Sequence, residues 1–201
     1  MEIIMKIYDI TQELIGGRVF PGDPSPRIER IMSIDSGDVC NLSAAYMCLH
    51  NATHVDAPFH FISDGDTVEK IPLEYTVGYA YVCEHNGVLS GDDAEEVLSR
   101  AADAQADCFK RILLKGSTTV SADAARVFAA GGVLLVGNES QTVGPEDAPM
   151  EVHLTLLGAK VVLLEGIRLT DIPVGVYLLC AAPLLVGGAD GAPCRAVLIQ
   201  P

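Results

Sequence analysis

The sequence predicts a mixed α/β fold in which flanking helices pack on a central β-sheet or barrel. Two observations carry this prediction. The first 85 residues hold strand-like apolar patches separated by turn-forming residues, and from residue 92 onwards helical and strand-like apolar spacing alternate. The chain has 201 residues, 49% of them hydrophobic, and no repeat or linker divides it. We therefore expect residues 1–201 to form one domain.

The N-terminal half is predicted to be rich in strands. Its strand-like apolar patches occupy residues 3–7, 43–49 and 75–82. The strongest turn signal among them is Pro-Gly-Asp-Pro at residues 21–24, because proline and glycine both interrupt regular structure.

The C-terminal half is predicted to alternate strands and helices. Between residues 92 and 106 the apolar residues follow a helical period, and acidic residues stand at the start, where they complement the helix dipole. A second helix at 121–130 ends at a glycine pair, and a third runs from about residue 146 to 157. The remaining apolar runs predict strands at residues 111–114, 133–137, 160–164, 175–180 and 195–199.

The charge balance argues against two classes of partner. Thirteen basic and 27 acidic side chains leave a net charge of −14, so the surface repels nucleic acid and anionic membranes. The first residues have no sustained apolar run and do not resemble a secretory signal. Apolar runs near residues 172–186 are cut by proline and glycine, short of the roughly 18 apolar residues of a membrane span. We expect a soluble, cytoplasmic protein.

The six cysteines are scattered along the chain and form no CxxC pair. In an acidic chain of this size, that distribution favours the reduced, mostly buried thiols of a cytosolic protein over a disulfide framework. A catalytic cysteine stays open as an alternative, although no local motif singles out one of the six.

Residues 50–60 read His-Asn-Ala-Thr-His-Val-Asp-Ala-Pro-Phe-His and hold three of the chain's five histidines. A folding core gains little from gathering such polar groups, because each needs a partner once it is buried. A divalent metal, by contrast, uses imidazoles and carboxylates as ligands. The segment therefore predicts a metal-dependent enzyme with the candidate residues His50, His54, Asp56 and His60. The alternative is a set of core or surface histidines satisfied by hydrogen bonds, with Asp56 capping a turn.

The same segment is predicted to be extended but bent. Pro58 disfavours helix at the residue before it, and β-branched neighbours favour extended chain. In an extended segment the even-numbered residues from 50 to 60 would share one face. A straight strand would separate the Cα atoms of His50 and His54 by roughly 13 Å, too far for metal bonds of about 2 Å. We expect the bend at Ala52.

Two residues from the C-terminal half could complete a second metal site. His153 lies in the third predicted helix, and Glu165 ends the buried strand predicted at 160–164. Strand ends often carry catalytic groups. Taken alone, each residue has an ordinary structural interpretation, as a helix-face histidine and a strand-end carboxylate. His85 differs from both, because it stands in a predicted exposed turn.

The segment at 50–60 resembles the signature of a known family. HxGTHxDAPxH, the signature of the cyclase family of metal-dependent hydrolases, matches at every position except the glycine, where Ala52 stands. The similarity continues in the Pro-Gly-Asp turn at 21–23 and in Glu165-Gly166-Ile167. The family includes bacterial kynurenine formamidase (arylformamidase) and isatin hydrolase.

The resemblance implies a swivelling β/β/α, cyclase-like fold and a two-metal site. One ion would bind His50, His54 and Asp56, and the second would share Asp56 with His153 and Glu165. The resemblance also implies two Zn²⁺ ions per chain and a homodimer or higher homo-oligomer. Imidazole and carboxylate ligands also suit Mn²⁺ and iron, so the ligand types leave these metals as alternatives.

The chemistry that the resemblance implies is hydrolysis of a carbon–nitrogen amide bond by a metal-activated water, with His60 assisting proton transfer. The leading expectation is an arylformamidase-like enzyme whose small-molecule substrate is N-formylkynurenine or a related aryl formamide. One alternative is a hydrolase or cyclase acting on a cyclic amide or lactone. Another is a binding protein that keeps the metal without turnover. Residues 137–144 depart from the GID and SVD patterns of formamidases and leave the substrate open.

Overall fold

The computed structural model describes residues 5–200, in which a mixed nine-stranded β-sheet forms the centre. The described part of the chain has the strands β1 (Lys6–Asp9), β2 (Arg27–Met32), β3 (Leu42–Tyr46), β4 (His54–Asp56), β5 (Val77–Glu84), β6 (Gly87–Leu89), β7 (Arg111–Lys115), β8 (Thr118–Val120), β9 (Leu135–Asn138), β10 (Val162–Glu165), β11 (Gly175–Cys180), β12 (Gly191–Pro193) and β13 (Val197–Gln200). Its α-helices are α1 (Leu73–Thr76), α2 (Gly91–Ala104), α3 (Ala122–Ala130) and α4 (Met150–Gly158).

The sheet has the order β1-β13-β11-β5-β7-β9-β10-β4-β12. Its middle strands β5, β7, β9 and β10 pair in parallel, whereas the strands on both sides pair antiparallel. Parallel neighbours need crossover connections, and α2, α3 and α4 provide them. The predicted mixed α/β fold with a central sheet and flanking helices is confirmed.

The helices begin where the sequence offers a cap. Ser90 forms a capping box with Asp93 at the start of α2, and the Ser121 side chain accepts a hydrogen bond from a backbone amide in the first turn of α3. The third predicted helix starts at Met150, four residues later than the pattern indicated. Pro149 explains the difference, because it disfavours helical backbone at the residue before it. A turn in which the amide of Ala148 donates to the carbonyl of Pro145 occupies that stretch instead.

Several N-terminal strands differ from the sequence-based expectation. The first strand is β1, which begins at Lys6, and part of the predicted segment 3–7 lies outside the described residues. The patch predicted at 43–49 yields β3, which pairs with the unpredicted strand β2 in a hairpin apart from the main sheet. Nearly every residue of this hairpin is exposed.

Two apolar cores lie on the opposite faces of the main sheet. Alternate residues of one strand point to opposite faces, so Ile112 and Leu114 join the core under the helices, whereas Leu113 joins the other. Phe128 of α3 is among the largest fully buried side chains of the first core. Among the described residues, no helix combines the length and apolar character needed to cross a membrane.

Candidate metal centre

The site is built around β4, a strand of three buried residues held between two antiparallel neighbours. His54 lies opposite Glu165 of β10 on one side and opposite Pro193 of β12 on the other. Since alternate residues of a strand share a face, His54 and Asp56 point the same way, and directly opposed residues on neighbouring strands come into contact. The sheet register thus brings together side chains that are far apart in the sequence.

The segment before β4 bends at Ala52, as the sequence predicted. Ala52 has a φ of +56°, in the left-handed region, and its amide donates to the carbonyl of Arg18 over 3.1 Å. Only His54–Asp56 is strand, and Pro58–His60 forms a 3₁₀ turn. The predicted shared face of an extended segment therefore holds for the strand alone. The bend and the turn are what return His50 and His60 to the β4 side chains.

Asp56 is the centre of the cluster. Its Oδ1 atom lies 2.8 Å from Nδ1 of His50 and 3.2 Å from Nε2 of His54. Its other oxygen, Oδ2, lies 3.7 Å from Nε2 of His153, is buried, and makes no hydrogen bond with the described residues. A buried carboxylate oxygen without a donor is costly unless a cation or proton serves it. The donor set around Asp56 therefore fits a divalent metal.

Glu165 occupies the other side of the cluster. Its Oε2 atom is 3.4 Å from Nε2 of His54, and its Oε1 atom is 3.3 Å from Nε2 of His153. Oε1 also accepts a hydrogen bond of 2.8 Å from the amide of Val143. Two sets of three residues could each hold a metal ion, because the ligand atoms within each set all lie within 4.8 Å of one another. The sets are His54, Asp56 and Glu165, and His50, Asp56 and His60.

Backbone carbonyls orient two of the imidazoles. Nδ1 of His54 is 3.1 Å from the carbonyl oxygen of Ala52, and Nδ1 of His153, on α4, is 2.8 Å from that of Pro149. A carbonyl can only accept, so each Nδ1 carries a proton, and each Nε2 faces the carboxylates, where it would offer its lone pair to a metal. Histidines that bind a metal through one ring nitrogen commonly donate a hydrogen bond from the other, as Nδ1 does here.

The carboxylates hold these imidazoles in a strongly anionic setting. Burial lowers the pKa of His54, but its contacts with Asp56 and Glu165 outweigh that effect and raise the pKa to about 9. The pKa of His50 rises to about 11, because Asp56 and Asp190 overcome its burial. Burial raises the pKa of Asp56, yet the neighbouring imidazoles hold it well below its usual range. The cluster thus attracts positive charge, whether protons or metal ions.

The structure adds Asp190, which the sequence reasoning missed. Its Oδ2 atom lies 2.9 Å from Nε2 of His50 and 3.4 Å from Nδ1 of His60, and these contacts lower its pKa. His60 stacks on His50 with ring centroids 3.9 Å apart. The available signal was an acidic residue in the glycine-rich stretch 187–191, directly before β12. Glycine-rich loops beside strands often carry functional groups.

Five of the six sequence-predicted residues line one cavity of about 340 Å³, namely His50, His54, His60, His153 and Glu165. The sixth, Asp56, contacts His50, His54 and His153. The other lining residues are Phe20, Asp23, Cys48, Phe61, Gln141, Thr142, Pro149 and Asp190. His85 lies elsewhere, with Nε2 3.7 Å from the carboxylate of Asp93, in line with its interpretation as a residue outside the site.

Comparison with known proteins assigns the chain to a family. The family model described as "Putative cyclase" matches residues 8–145. The chain belongs to the cyclase family. Kynurenine formamidase from Erythrobacter litoralis is 31% identical over 96% of this chain and 93% of its own length. The resemblance inferred from the signature at 50–60 is confirmed.

Two solved structures share the fold of this chain. A protein described as a predicted metal-dependent hydrolase from Bacillus stearothermophilus superposes with a TM-score of 0.81 at 30% identity, covering 98% of this chain and all of that one. An isatin hydrolase superposes with a TM-score of 0.84, covering 98% of this chain and 93% of its own, at 18% identity. The second likeness concerns the fold alone.

Proposed function

We propose that this cyclase-family protein is a metal-dependent amide hydrolase of the arylformamidase type, acting on N-formylkynurenine or a related aryl formamide. The observation that carries the proposal is the buried carboxylate of Asp56, which lies among three imidazoles and has one oxygen that accepts no hydrogen bond from the described residues. The similarity to a kynurenine formamidase over nearly the whole chain supports the substrate class.

Two ions would be held by a carboxylate shared between them. Oδ1 of Asp56 faces His50 and His54, whereas Oδ2 faces His153, which also contacts Glu165. We assign the first ion to His50, His54 and Asp56 and the second to Asp56, His153 and Glu165. Zn²⁺ is the proposed metal, with Mn²⁺ as the alternative that the same ligands would take.

Protein side chains would handle binding and proton transfer. When bound, the metal supplies a water acidified towards neutral pH and Lewis-acid polarisation of the substrate carbonyl. His60 would take a proton during attack and return it to the leaving nitrogen. Asp190 would orient the imidazoles of His60 and His50, since both contact its Oδ2 atom. Phe20 and Phe61 line the cavity and would pack against an aryl ring.

Substrate choice has a second candidate, a cyclic amide or lactone. Gln141 and Thr142 line the cavity, and they belong to the segment 137–144 that departs from the formamidase patterns. The test is elemental analysis of the purified protein followed by assays with N-formylkynurenine, formanilide and isatin. Turnover of the two formamides supports the proposal. Turnover of isatin alone would favour the cyclic class, and bound metal without any turnover would favour a binding protein.

Replacing Glu165 by glutamine tests the two-ion assignment. An amide is a much poorer metal ligand than a carboxylate, so we expect Glu165→Gln to release one ion and keep the other. The fold should survive, because the amide oxygen can still accept the hydrogen bond from Val143. Metal titration beside thermal melting measures both. Glu139→Gln is the matched control, since Glu139 also accepts backbone hydrogen bonds but lies outside the cluster. Two ions in Glu165→Gln, or one in fully loaded wild type, would refute the assignment.

We further propose that the protein forms a homodimer or higher homo-oligomer through the β2–β3 hairpin. Two-stranded hairpins are marginally stable alone in water, and this one exposes the apolar side chains Ile28, Ile31, Leu42 and Tyr46. Arg27 and Arg30 on the same hairpin would suit the acidic surface of a second copy. Sedimentation of Ile28→Glu should show dissociation, whereas Val88→Glu, an exposed apolar position on β6, should leave the mass unchanged.

The proposed location is the cytoplasm. The six cysteines are free, and Cys83, Cys108 and Cys194 are buried among apolar residues. Buried reduced thiols are typical of proteins in reducing compartments.

A further inference from the structure

Ala52 adopts a backbone conformation that alanine seldom takes. Its φ of +56° lies in the region that glycine enters freely and that a Cβ atom disfavours. The residue is buried, and its methyl group faces Gly17, where an added Cβ would come within 2.6 Å of it. Gly17 therefore leaves the space for the methyl group. Space alone does not hold the backbone in this conformation.

The carbonyl of Ala52 is fixed from two directions. It accepts one hydrogen bond from Nδ1 of His54 over 3.1 Å and another from Nε2 of Gln141 over 3.0 Å. A carbonyl oxygen has two lone pairs, so these two donors satisfy it completely. The same oxygen thus connects the strained residue to an imidazole of the metal centre.

Gln141 is itself held by Gln12, from the N-terminal part of the chain. Nε2 of Gln12 donates to Oε1 of Gln141 over 3.0 Å and to the carbonyl of Gly166 over 2.6 Å. Oε1 of Gln12 accepts from the amide of Arg18 and from the guanidinium of Arg168, both over 3.0 Å. In each of the two glutamines the NH2 group donates to a backbone carbonyl and the side-chain oxygen accepts from an N–H group. These partners set the orientation of both side-chain amides.

The amide pair also packs against the residue that follows Glu165. A Cβ atom on Gly166 would lie 2.2 Å from the Ala52 carbonyl oxygen and 2.4 Å from Oε1 of Gln141. The two glutamines therefore occupy the space over this glycine, between the bend before His54 and the end of β10. Both amides are buried.

We propose that Gln141, supported by Gln12, is a positioning residue for the metal centre. It holds the Ala52 carbonyl where that oxygen fixes the Nδ1–H tautomer and the orientation of the His54 ring. Alanine is strained at this bend, so the hydrogen bond from the Gln141 side chain is needed to hold its backbone in place. A glycine would depend less on that hydrogen bond, because glycine adopts this conformation without strain. The inference rests on the proposed function in so far as His54 is a metal ligand.

The test combines Gln141→Met, Ala52→Gly and the double variant. Loss of the partner that orients a ligating histidine typically weakens metal binding by roughly 10–100-fold. Gln141 acts on His54 through the Ala52 carbonyl, so we expect Gln141→Met to lower the affinity for Zn²⁺ by an amount at the lower end of that range, roughly 10-fold. Ala52→Gly alone should bind Zn²⁺ close to wild type, and the double variant should recover most of the loss. Competition with a chelating dye measures the affinities. Wild-type affinity in Gln141→Met, or an equal loss with and without Ala52→Gly, would overturn the proposal.

An imidazole readout in the metal-free protein separates this inference from the proposed function. The Nδ1 proton of His54 should give a slowly exchanging ¹⁵N-histidine NMR signal in wild type, lost in Gln141→Met and regained in the double variant. An unchanged signal in Gln141→Met refutes the positioning role even if Zn²⁺ binds. Wild type that binds no metal, with the signal responding as expected, refutes the metal centre and leaves the positioning role standing.

Two further variants separate a loss of positioning from a general effect on the fold. Asn138→Leu removes another buried amide of the same segment, one that donates to the carbonyl of Thr142 and does not bond to Ala52. Its effect on Zn²⁺ affinity should not be relieved by Ala52→Gly. If Gln141→Met fails to fold, Gln12→Met replaces it, since it keeps the Gln141 donor while removing its support. We then expect a smaller loss of the same sign, and no loss would contradict the proposal.

Discussion

His54→Ala is expected to remove both bound metal and hydrolase activity. His54 is 1% exposed, and its Nε2 atom lies between Oδ1 of Asp56 and Oε2 of Glu165, so no other described residue can take its place. Removing one hydrogen-bond donor from an oxyanion site costs roughly 10²–10³-fold in turnover. Loss of the metal that activates the water should exceed that cost. Elemental analysis and formamide turnover measure the two effects.

The control for this prediction is His85→Ala. His85 is a histidine outside the cluster, so its variant should keep wild-type metal content and turnover. The assignment of His54 fails if His54→Ala retains metal at the wild-type stoichiometry. A melting temperature measured on both variants shows whether a loss of metal reflects unfolding instead.

His60→Asn is expected to lower turnover by roughly 10²–10⁴-fold while metal and fold are retained. The His60 side chain is 29% exposed, in contrast to the enclosed His54, so it can reach both substrate and solvent. Asparagine keeps a polar group against Asp190 but cannot exchange a proton near neutral pH. Turnover at saturating substrate, together with metal content, measures the effect.

The outcome also decides between two roles for His60. Its ring nitrogen lies within reach of the ligand atoms of His50 and Asp56, so the geometry is also compatible with metal ligation. A variant that loses an ion would make His60 a ligand. Full metal content and unchanged turnover would exclude both roles.

Local patterns predicted much of the fold because they depend on neighbours in the sequence. Helical spacing with acidic residues at the start predicted α2, and a short apolar run predicted β7, whose first four residues are all buried. The bend at Ala52 could be predicted because two histidines four residues apart cannot share an ion on a straight strand. The start of α4 also has a local signal in Pro149, because a proline disfavours helical backbone at the residue before it.

The parts that sequence reasoning missed depend on contacts between distant residues. Gln12 meets Gln141 across 129 positions, and Asp190 meets His50 across 140. A glutamine or aspartate has no local pattern that distinguishes such a partner from an exposed side chain. The exposed β2–β3 hairpin was missed in part for the same reason, since no buried face imposes an alternating pattern on β2.

The position of β4 has a consequence for the kinetics of folding. Its neighbours β10 and β12 come from much later in the chain, whereas β7, β9 and β10 follow one another through single helices. Closing long loops is slow, so we expect β4 and β12 to join the sheet after the parallel strands have paired. Ions bound between β4 and β10 would stabilise contacts that form after the rate-limiting step of folding. They would therefore leave the refolding rate nearly unchanged and slow unfolding. Occupancy of the site would then set how long each native molecule survives.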